Sequence, residues 1–511
     1  MHLPTPPSLR RSVLLALPLP LSPSLLLSFF STLSLVCIFG LTTHAARAAA
    51  PAPLRAGAYA QDITPLPAQL PSPINGGMKG AFSRTVTDPM HARSFALQSG
   101  PTTLVFCIVD ACMIPRELCE AAKAIASRAT GIPASHFLIS ATHSHSCATL
   151  TPVFQSNADP VYLANLPSRI AESMIRAHAN LEPAEIAFGH APNPDQVFNR
   201  RWLVKDGDSY ENPFDLTTDR AWMNPGYKNP KVTAPAGPVD PAVSLLAARA
   251  TSDGRPLAVL ANYSLHYVGG LPAISADYFA AFARELTTRL SATDARYAGK
   301  PAFVGIMSNG TSGDINNVNY AAPAPPKRAP GEQIAAVARS VADTAFAAYT
   351  RLSWQSAAPL ATAERDLTLA VRKPTPADLA RAQHLVATTK RDADGQFSDR
   401  KAIYALESLA LADFPATVPV KLQVHRIGAL TVAAIPCEVF VEIGLDLKAT
   451  QPLAEHFTIS LANGYNGYLP TPEHHALGGY ETWRARSSYL EVDASTKITA
   501  TLRDLLAAVA K

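Results

Sequence analysis

The sequence is short of charge. Only 16% of its 511 residues are Asp, Glu, Lys or Arg, the net charge is +4, and no cluster of Lys and Arg marks a nucleic-acid groove, so that partner is discounted. Cysteine is scarce too. Five of the six lie beyond residue 50, at 107, 112, 119, 147 and 437, and the spacing fits neither a zinc knuckle nor a dense disulfide framework. An odd number leaves at least one thiol unpaired unless chains cross-link. There is no internal repeat, no phosphate-binding lysine on a Gly-rich loop, and no apolar run after residue 50 long enough to span a bilayer. Hydrophobic side chains are abundant, at 48%. That excludes global disorder and supplies a large core.

The first fifty residues stand apart. Arg10 and Arg11 precede an apolar run through Leu25-Leu26-Leu27, Phe29-Phe30 and Leu35 to Phe39, and small residues follow at Ala45 to Ala50. Basic flank, apolar stretch and Ala-x-Ala-like exit describe a secretory signal. A secreted or periplasmic protein whose folded part starts near residue 51 is the expectation. The run is also long enough for an uncleaved membrane anchor, although Pro18, Pro20 and Pro23 shorten its helical part.

Beyond residue 75, strand and helix patterns interleave without a linker. Strands are predicted at Ala58 to Ile63, Ser94 to Gln98, Thr103 to Val109, Phe137 to Ser140, Val243 to Ala248, Leu257 to Ser264, Phe303 to Met307, Val420 to Val424, Leu430 to Ile435 and Phe457 to Leu461. Helices are predicted at Pro115 to Arg128, Ala164 to Ala179, Phe279 to Leu290, Gly331 to Leu352, 375–412 with a polar break at Asp392 to Asp399, and Ile498 to Val509. Residues 191–240 read as irregular. The pattern predicts an α/β fold, one mixed sheet system flanked by helices in a single large domain.

Several segments carry chemistry. Thr142-His143-Ser144-His145-Ser146 follows the strand at Phe137. Two histidines two apart on an extended chain point to the same side, which offers two imidazoles to one site or, equally, leaves two polar residues on an exposed strand end. His266 ends an apolar strand ahead of Gly269-Gly270. Glu438 sits between Cys437 and Val439-Phe440, either buried with a partner or a metal, or starting a helix. Asn199-Arg200-Arg201 lies beside Phe198 and Trp202, placed to bind a carbonyl or to make a surface ion pair. Tyr465, Tyr468 and Tyr480 lie on Gly-rich loops and read by composition as packing residues. The loop Ser308 to Asn316 follows a strand and could cradle an anion, and Asp277 is a plausible helix N-cap.

In this order the segments resemble the catalytic domain of the neutral/alkaline, non-lysosomal ceramidase family over about residues 54 to 511, and in particular its uncharacterised bacterial secreted members. The resemblance implies metal ligands at His143, His266, Glu438 and Tyr468, and active-site roles for His145, Arg200 and Tyr480. It implies Zn2+ as cofactor and hydrolysis of the amide of N-acyl sphingoid lipids, ceramide to sphingosine and fatty acid. The substrate would be a lipid or small molecule, with peripheral membrane contact and an oligomeric state left open. Two departures stand out. Where ceramidases carry Gly-Asp-Val-Ser-Pro-Asn, this chain has Gly313-Asp314-Ile315-Asn316-Asn317, so Asn316 replaces a substrate-contacting serine. The sequence is also expected not to hold the immunoglobulin-like domain that follows the catalytic one. Two alternatives remain open: a zinc hydrolase of another N-acyl or ester specificity, and a non-catalytic binding protein of the same fold. Cys147 and Cys437, each within two residues of a site candidate, raise the question of whether their sulfurs approach.

Overall fold

Alternation along eight strands gives the molecule two kinds of core, one on each face of a single mixed sheet. The computed structural model describes residues 52–511. The signal segment lies outside them. The strands are β1 (Leu54–Asp62), β2 (His91–Ser99), β3 (Thr102–Val109), β4 (Phe137–Ala141), β5 (Glu182–Pro192), β6 (Ala242–Ala250), β7 (Pro256–Tyr263) and β8 (Val304–Asn309). Their order is β8-β7-β6-β5-β1-β2-β3-β4, antiparallel except for the outer pairs β7/β8 and β3/β4.

Phe95, Phe106, Leu138, Leu246 and Ile306 face a second, four-stranded sheet and pack on its Ile427, Val432, Phe457 and Ile459. That sheet runs β9 (Leu360–Ala370), β10 (Thr417–Ile427), β11 (Leu430–Ala434), β12 (Glu455–Ile459). The alternate residues of β2 to β4 meet helices α1 (Arg116–Thr130) and α2 (Pro160–Ala179). Those of β6 to β8 meet α3 (Asp277–Arg289) and α4 (Glu332–Tyr349). Helices α5 (Pro376–Thr388) and α6 (Arg400–Ala412) fill the interval between β9 and β10, α7 (Val441–Thr450) connects β11 to β12, and α8 (Pro472–Leu477) and α9 (Ala494–Ala510) follow β12. None of the described helices is long and apolar enough to cross a membrane.

The eight-stranded sheet curls until its edges approach. Asn309 Nδ2, at the end of β8, donates to the Thr142 carbonyl just after β4 at 3.2 Å. The segment 460–463 bonds to both edges: Ala141 N–H donates to Leu461 O at 3.1 Å and Ser460 N–H to Asn309 O at 3.0 Å. Residues that leave β4, β7, β8 and the second sheet are thereby delivered to one place.

The expected α/β class with a mixed sheet and flanking helices is what the structure shows, with three differences. There are two large sheets rather than one system. Strands β5 and β9 occupy segments for which no strand was predicted. Asp277 is the first residue of α3, with Ala276 in the cap position, and its carboxylate accepts from Tyr278 N–H of the first turn at 2.6 Å and also from Val268 N–H at 3.0 Å and Gly269 N–H at 2.7 Å. All five cysteines of the described residues are free, and Cys147 and Cys437 belong to different core clusters, so no disulfide joins them.

Candidate metal and active site

His143 does not sit on an extended strand. It follows β4 in a left-handed backbone conformation, φ 73°, so the same-side argument for His143 and His145 does not apply. The rings converge because the chain turns there. His143 is 2% and His266 1% exposed. His143 Nδ1 lies 2.8 Å from the Cys112 carbonyl and His266 Nδ1 3.0 Å from the Ser312 carbonyl. A carbonyl only accepts, so each Nδ1 carries a proton, and in the neutral form of each ring the lone pair is on Nε2. Those two Nε2 atoms face one another at 2.9 Å. His145 Nε2 is 3.2 Å from His143 Nε2. Its ring is stacked on Tyr267 with centroids 3.7 Å apart and pressed against Gly76, where a Cβ would meet the ring at 2.3 Å.

The carboxylate arrives from the second sheet. Glu438 pairs in parallel register with Tyr468 and is 4% exposed. Its Oε1 accepts from the Tyr465 hydroxyl at 2.9 Å. Its Oε2 stands 3.2 Å from His143 Nε2 and 4.0 Å from His266 Nε2, buried and without a hydrogen-bond partner. Arg200 closes the ring. Its Nη2 donates to the Tyr468 oxygen at 3.1 Å and to Gly313 O at 2.8 Å, while Nη1 is 3.4 Å from His266 Nε2. Gly313 must be glycine, since a Cβ would meet Glu438 O at 2.5 Å.

The cluster needs a positive charge at its centre. Burial opposes charge on His143, yet the Glu438 carboxylate outweighs it and holds this imidazole up at about 10. Burial, then the charges of His143 and Arg200, push His145 and His266 well below the ordinary range. Burial would raise Glu438, but His143 and Arg200 bring it down. Two lone pairs and an unpartnered carboxylate oxygen aimed at one point, with both Nδ1–H groups tied to carbonyls, fit a metal ion. The spacings of about 3 Å suit donors sharing one ion at ~2.0–2.2 Å. Cys112, His143 and His145 form an alternative trio. It fits less well, because the Cys112 sulfur faces the Nδ1 edge of His143, which is already bonded.

The sequence-predicted residues fall as follows. His143, His145, Glu438, Tyr468 and Tyr480 line one small cavity of about 20 Å³, enough for one water-sized body. His266 and Arg200 face a cleft of about 510 Å³ on the other side. Asn316 lines that cleft but stays apart from the imidazoles, its Nδ2 donating to Asn224 Oδ1 at 2.9 Å and its Oδ1 accepting from Val318 N–H. Neither Arg200 nor Arg201 is at the surface. Both are at most 5% exposed and share Glu481, Nε of Arg200 at 3.0 Å and Nη1 of Arg201 at 2.5 Å. Residue types alone did not reveal Tyr465, Tyr267 or Glu481 as partners of the site, although each directly neighbours, or lies three residues from, a site candidate.

No protein-family model and no curated protein sequence matches this chain. Solved structures do. A crystal structure of neutral ceramidase from Pseudomonas aeruginosa aligns at TM-score 0.65 and 15% identity, covering 90% of this chain and 74% of that one. A ceramidase complexed with C2 aligns at TM-score 0.65 and 15% identity, covering 90% and 75%. The chain therefore has the fold of the neutral ceramidases.

Proposed function

We propose that this chain is a zinc-dependent hydrolase of linear amide bonds, ceramidase-like, with His143, His266, Glu438 and Tyr468 as its metal ligands. The observation that carries the reading is the 2.9 Å approach of two anchored Nε2 lone pairs beside the unpartnered Glu438 oxygen. Two imidazoles, a carboxylate and a phenol oxygen are donors that zinc accepts. Burial and the Glu438 charge push the Tyr468 phenol well above its ordinary range, Arg200 at 3.1 Å opposes them, and a metal ion would have to supply the rest to bind the phenol oxygen as an anion. Zinc held there would polarise an amide carbonyl and bring the pKa of water towards ~7.

The other residues divide the remaining work. His145, kept neutral by burial and by the charges of His143 and Arg200, is free to take the proton of the attacking water and return it to the leaving nitrogen. The Nη1 of Arg200, which faces the cleft, would donate to the oxygen that gains charge, a contact typically worth about 10²–10³ in rate, while Tyr480 lines the small cavity beside His145 and Glu438. Asp277 holds the Val268–Gly269 turn that follows His266 and Tyr267. N-acyl sphingoid lipids are the reference substrate through the fold likeness, and Asn316, in place of the family serine, favours another N-acyl specificity. The signal-like segment supports a location outside the cytoplasm, which N-terminal sequencing of exported protein checks.

Elemental analysis of the purified protein and hydrolysis assays with ceramide and simple N-acyl amines test the proposal. One equivalent of zinc and amide hydrolysis lost on chelation are expected. A protein that binds no divalent metal is not this enzyme.

A further inference from the structure

Of the two cavities that the described residues form against the donor cluster, one has room for an organic substrate. The cavity behind His143 and Glu438 holds a single water-sized body, whereas the cleft before His266 and Arg200 offers about 510 Å³. The outer wall of that cleft is the Pro-rich segment that carries Lys327 and Arg328.

Charge in the cleft has one sign. Arg200, Lys327 and Arg328 line it, and no Asp or Glu does. The buried trio behind Arg200 is itself net positive, since two guanidiniums share the one carboxylate of Glu481. Lys327 and Arg328 are exposed and make no ion pair or side-chain hydrogen bond among the described residues. The neighbouring carboxylate, Glu332, is turned back to accept from Ala329 N–H at 3.0 Å. Asn224 and Asn316 supply further polar surface beside the tyrosines Tyr227 and Tyr320. Apolar lining comes from Val268, Val318, Pro325 and Pro326 together with the rings of Tyr227, Tyr267 and Tyr320. These surfaces can cover an apolar chain, so what distinguishes the cleft is its charge. A polar group laid along it finds donors, and an anion finds a field with no opposing carboxylate.

Resting on the amide-hydrolase reading, we propose that the amine half of the substrate carries an anionic group, a carboxylate or phosphate, received by Lys327 and Arg328. The acyl carbonyl then lies against the donor cluster and the anion at the lip of the cleft.

Three octanesulfonamides, whose nitrogen is uncharged at neutral pH and which cannot be cleaved, test this: N-octylsulfonylglycine, N-octylsulfonyl-2-aminoethyl phosphate and N-octylsulfonylethanolamine. They are titrated calorimetrically into the full-length protein as purified and into its Lys327→Glu/Arg328→Glu double variant, whose two sites are exposed and leave the core untouched. At low salt both anionic compounds should bind about tenfold tighter than the neutral one. The preference should shrink with salt and vanish in the double variant. The tighter of the two anions names the source, carboxylate or phosphate. Equal binding of all three, or a preference that survives the charge reversal, overturns the proposal. The matching octanoyl amides are then offered to the zinc-loaded enzyme. Binding preference without cleavage of any amide keeps the anion site and sinks the hydrolase reading. Cleavage of all three with equal kcat/KM keeps the hydrolase and sinks the anion site.

Discussion

Two clusters in this molecule have nearly the same composition and different internal chemistry. His143, His266 and Glu438 form one; Asp314, Glu442 and His474 form the other. In the first, both imidazoles have their Nδ1–H tied to a carbonyl, so their Nε2 atoms meet at 2.9 Å and are the ring atoms left for a shared cation, a proton or a metal ion. In the second, His474 Nε2 pairs directly with Glu442 Oε1 at 2.9 Å and its Nδ1 has no partner. Asp314 is already satisfied, Oδ1 by Val441 N–H at 2.9 Å and Oδ2 by Asn199 at 2.7 Å. The contrast shows that residue types do not make a metal site. The hydrogen bonds on the far side of each ligand do, because they decide which lone pairs are left over.

The largest effect separates the two clusters outright. His143→Ala or His266→Ala should remove the metal, read by elemental analysis, and lower amide hydrolysis by ~10³-fold or more, the scale of losing a Lewis acid at a carbonyl. The same substitution at His474 should leave metal content unchanged. If His474→Ala lost the zinc while His143→Ala kept it, the two roles would be exchanged.

A smaller effect tests the support of the ligand. Tyr465→Phe removes the hydroxyl that donates to Glu438 Oε1 and nothing else in the site. Outer partners of this kind typically change metal affinity by about 10–100-fold, measurable by competition with a chelator. Unchanged affinity would show that Glu438 is held by its backbone pairing alone.

Smaller again is the stability of the second cluster. Glu442→Gln should keep the metal and cost about 1–3 kcal/mol, the penalty for disturbing a buried hydrogen bond, seen in denaturant unfolding. Loss of metal with unchanged stability would reverse the distinction drawn here.

The comparison also marks what a sequence displays. The imidazoles, Glu438, Tyr468 and Tyr480 were visible because each ends a strand or sits on a Gly-rich loop, Arg200 because it stands between aromatics in an irregular segment, and their order carried the family likeness. The second cluster was not, because Glu442 and His474 occupy ordinary helical first turns. Strand β9 was missed because Glu364-Arg365-Asp366 interrupts its alternation; it is the half-exposed edge of its sheet, where charge is tolerated. The curl that brings His143 to His266 rests on hydrogen bonds between segments more than a hundred residues apart, to which local pattern is blind.

The subtlest difference between the clusters is their response to pH. Asp314 is wholly buried, and burial first, then the charge of Glu442, push its carboxyl up to about 7, against the hydrogen bonds from Val441 and Asn199 that favour the charged form. In the unfolded chain the same group titrates near 3.8. The folded protein therefore binds this proton more tightly, and between about 3.8 and about 7 protonation favours folding. As pH rises through the folded value that advantage is lost, and in alkaline solution the buried charge weighs against the fold. Asp314→Asn is neutral at every pH, so it removes this dependence, while its amide meets the Asn199 amide that formerly donated to the carboxylate. Calorimetric unfolding should thus find the variant closest to the parent at pH 8 and falling progressively behind it towards pH 5. A constant gap across that range would mean that Asp314 keeps its charge throughout, and that His474 and the hydrogen bonds from Val441 and Asn199 outweigh burial and the Glu442 charge.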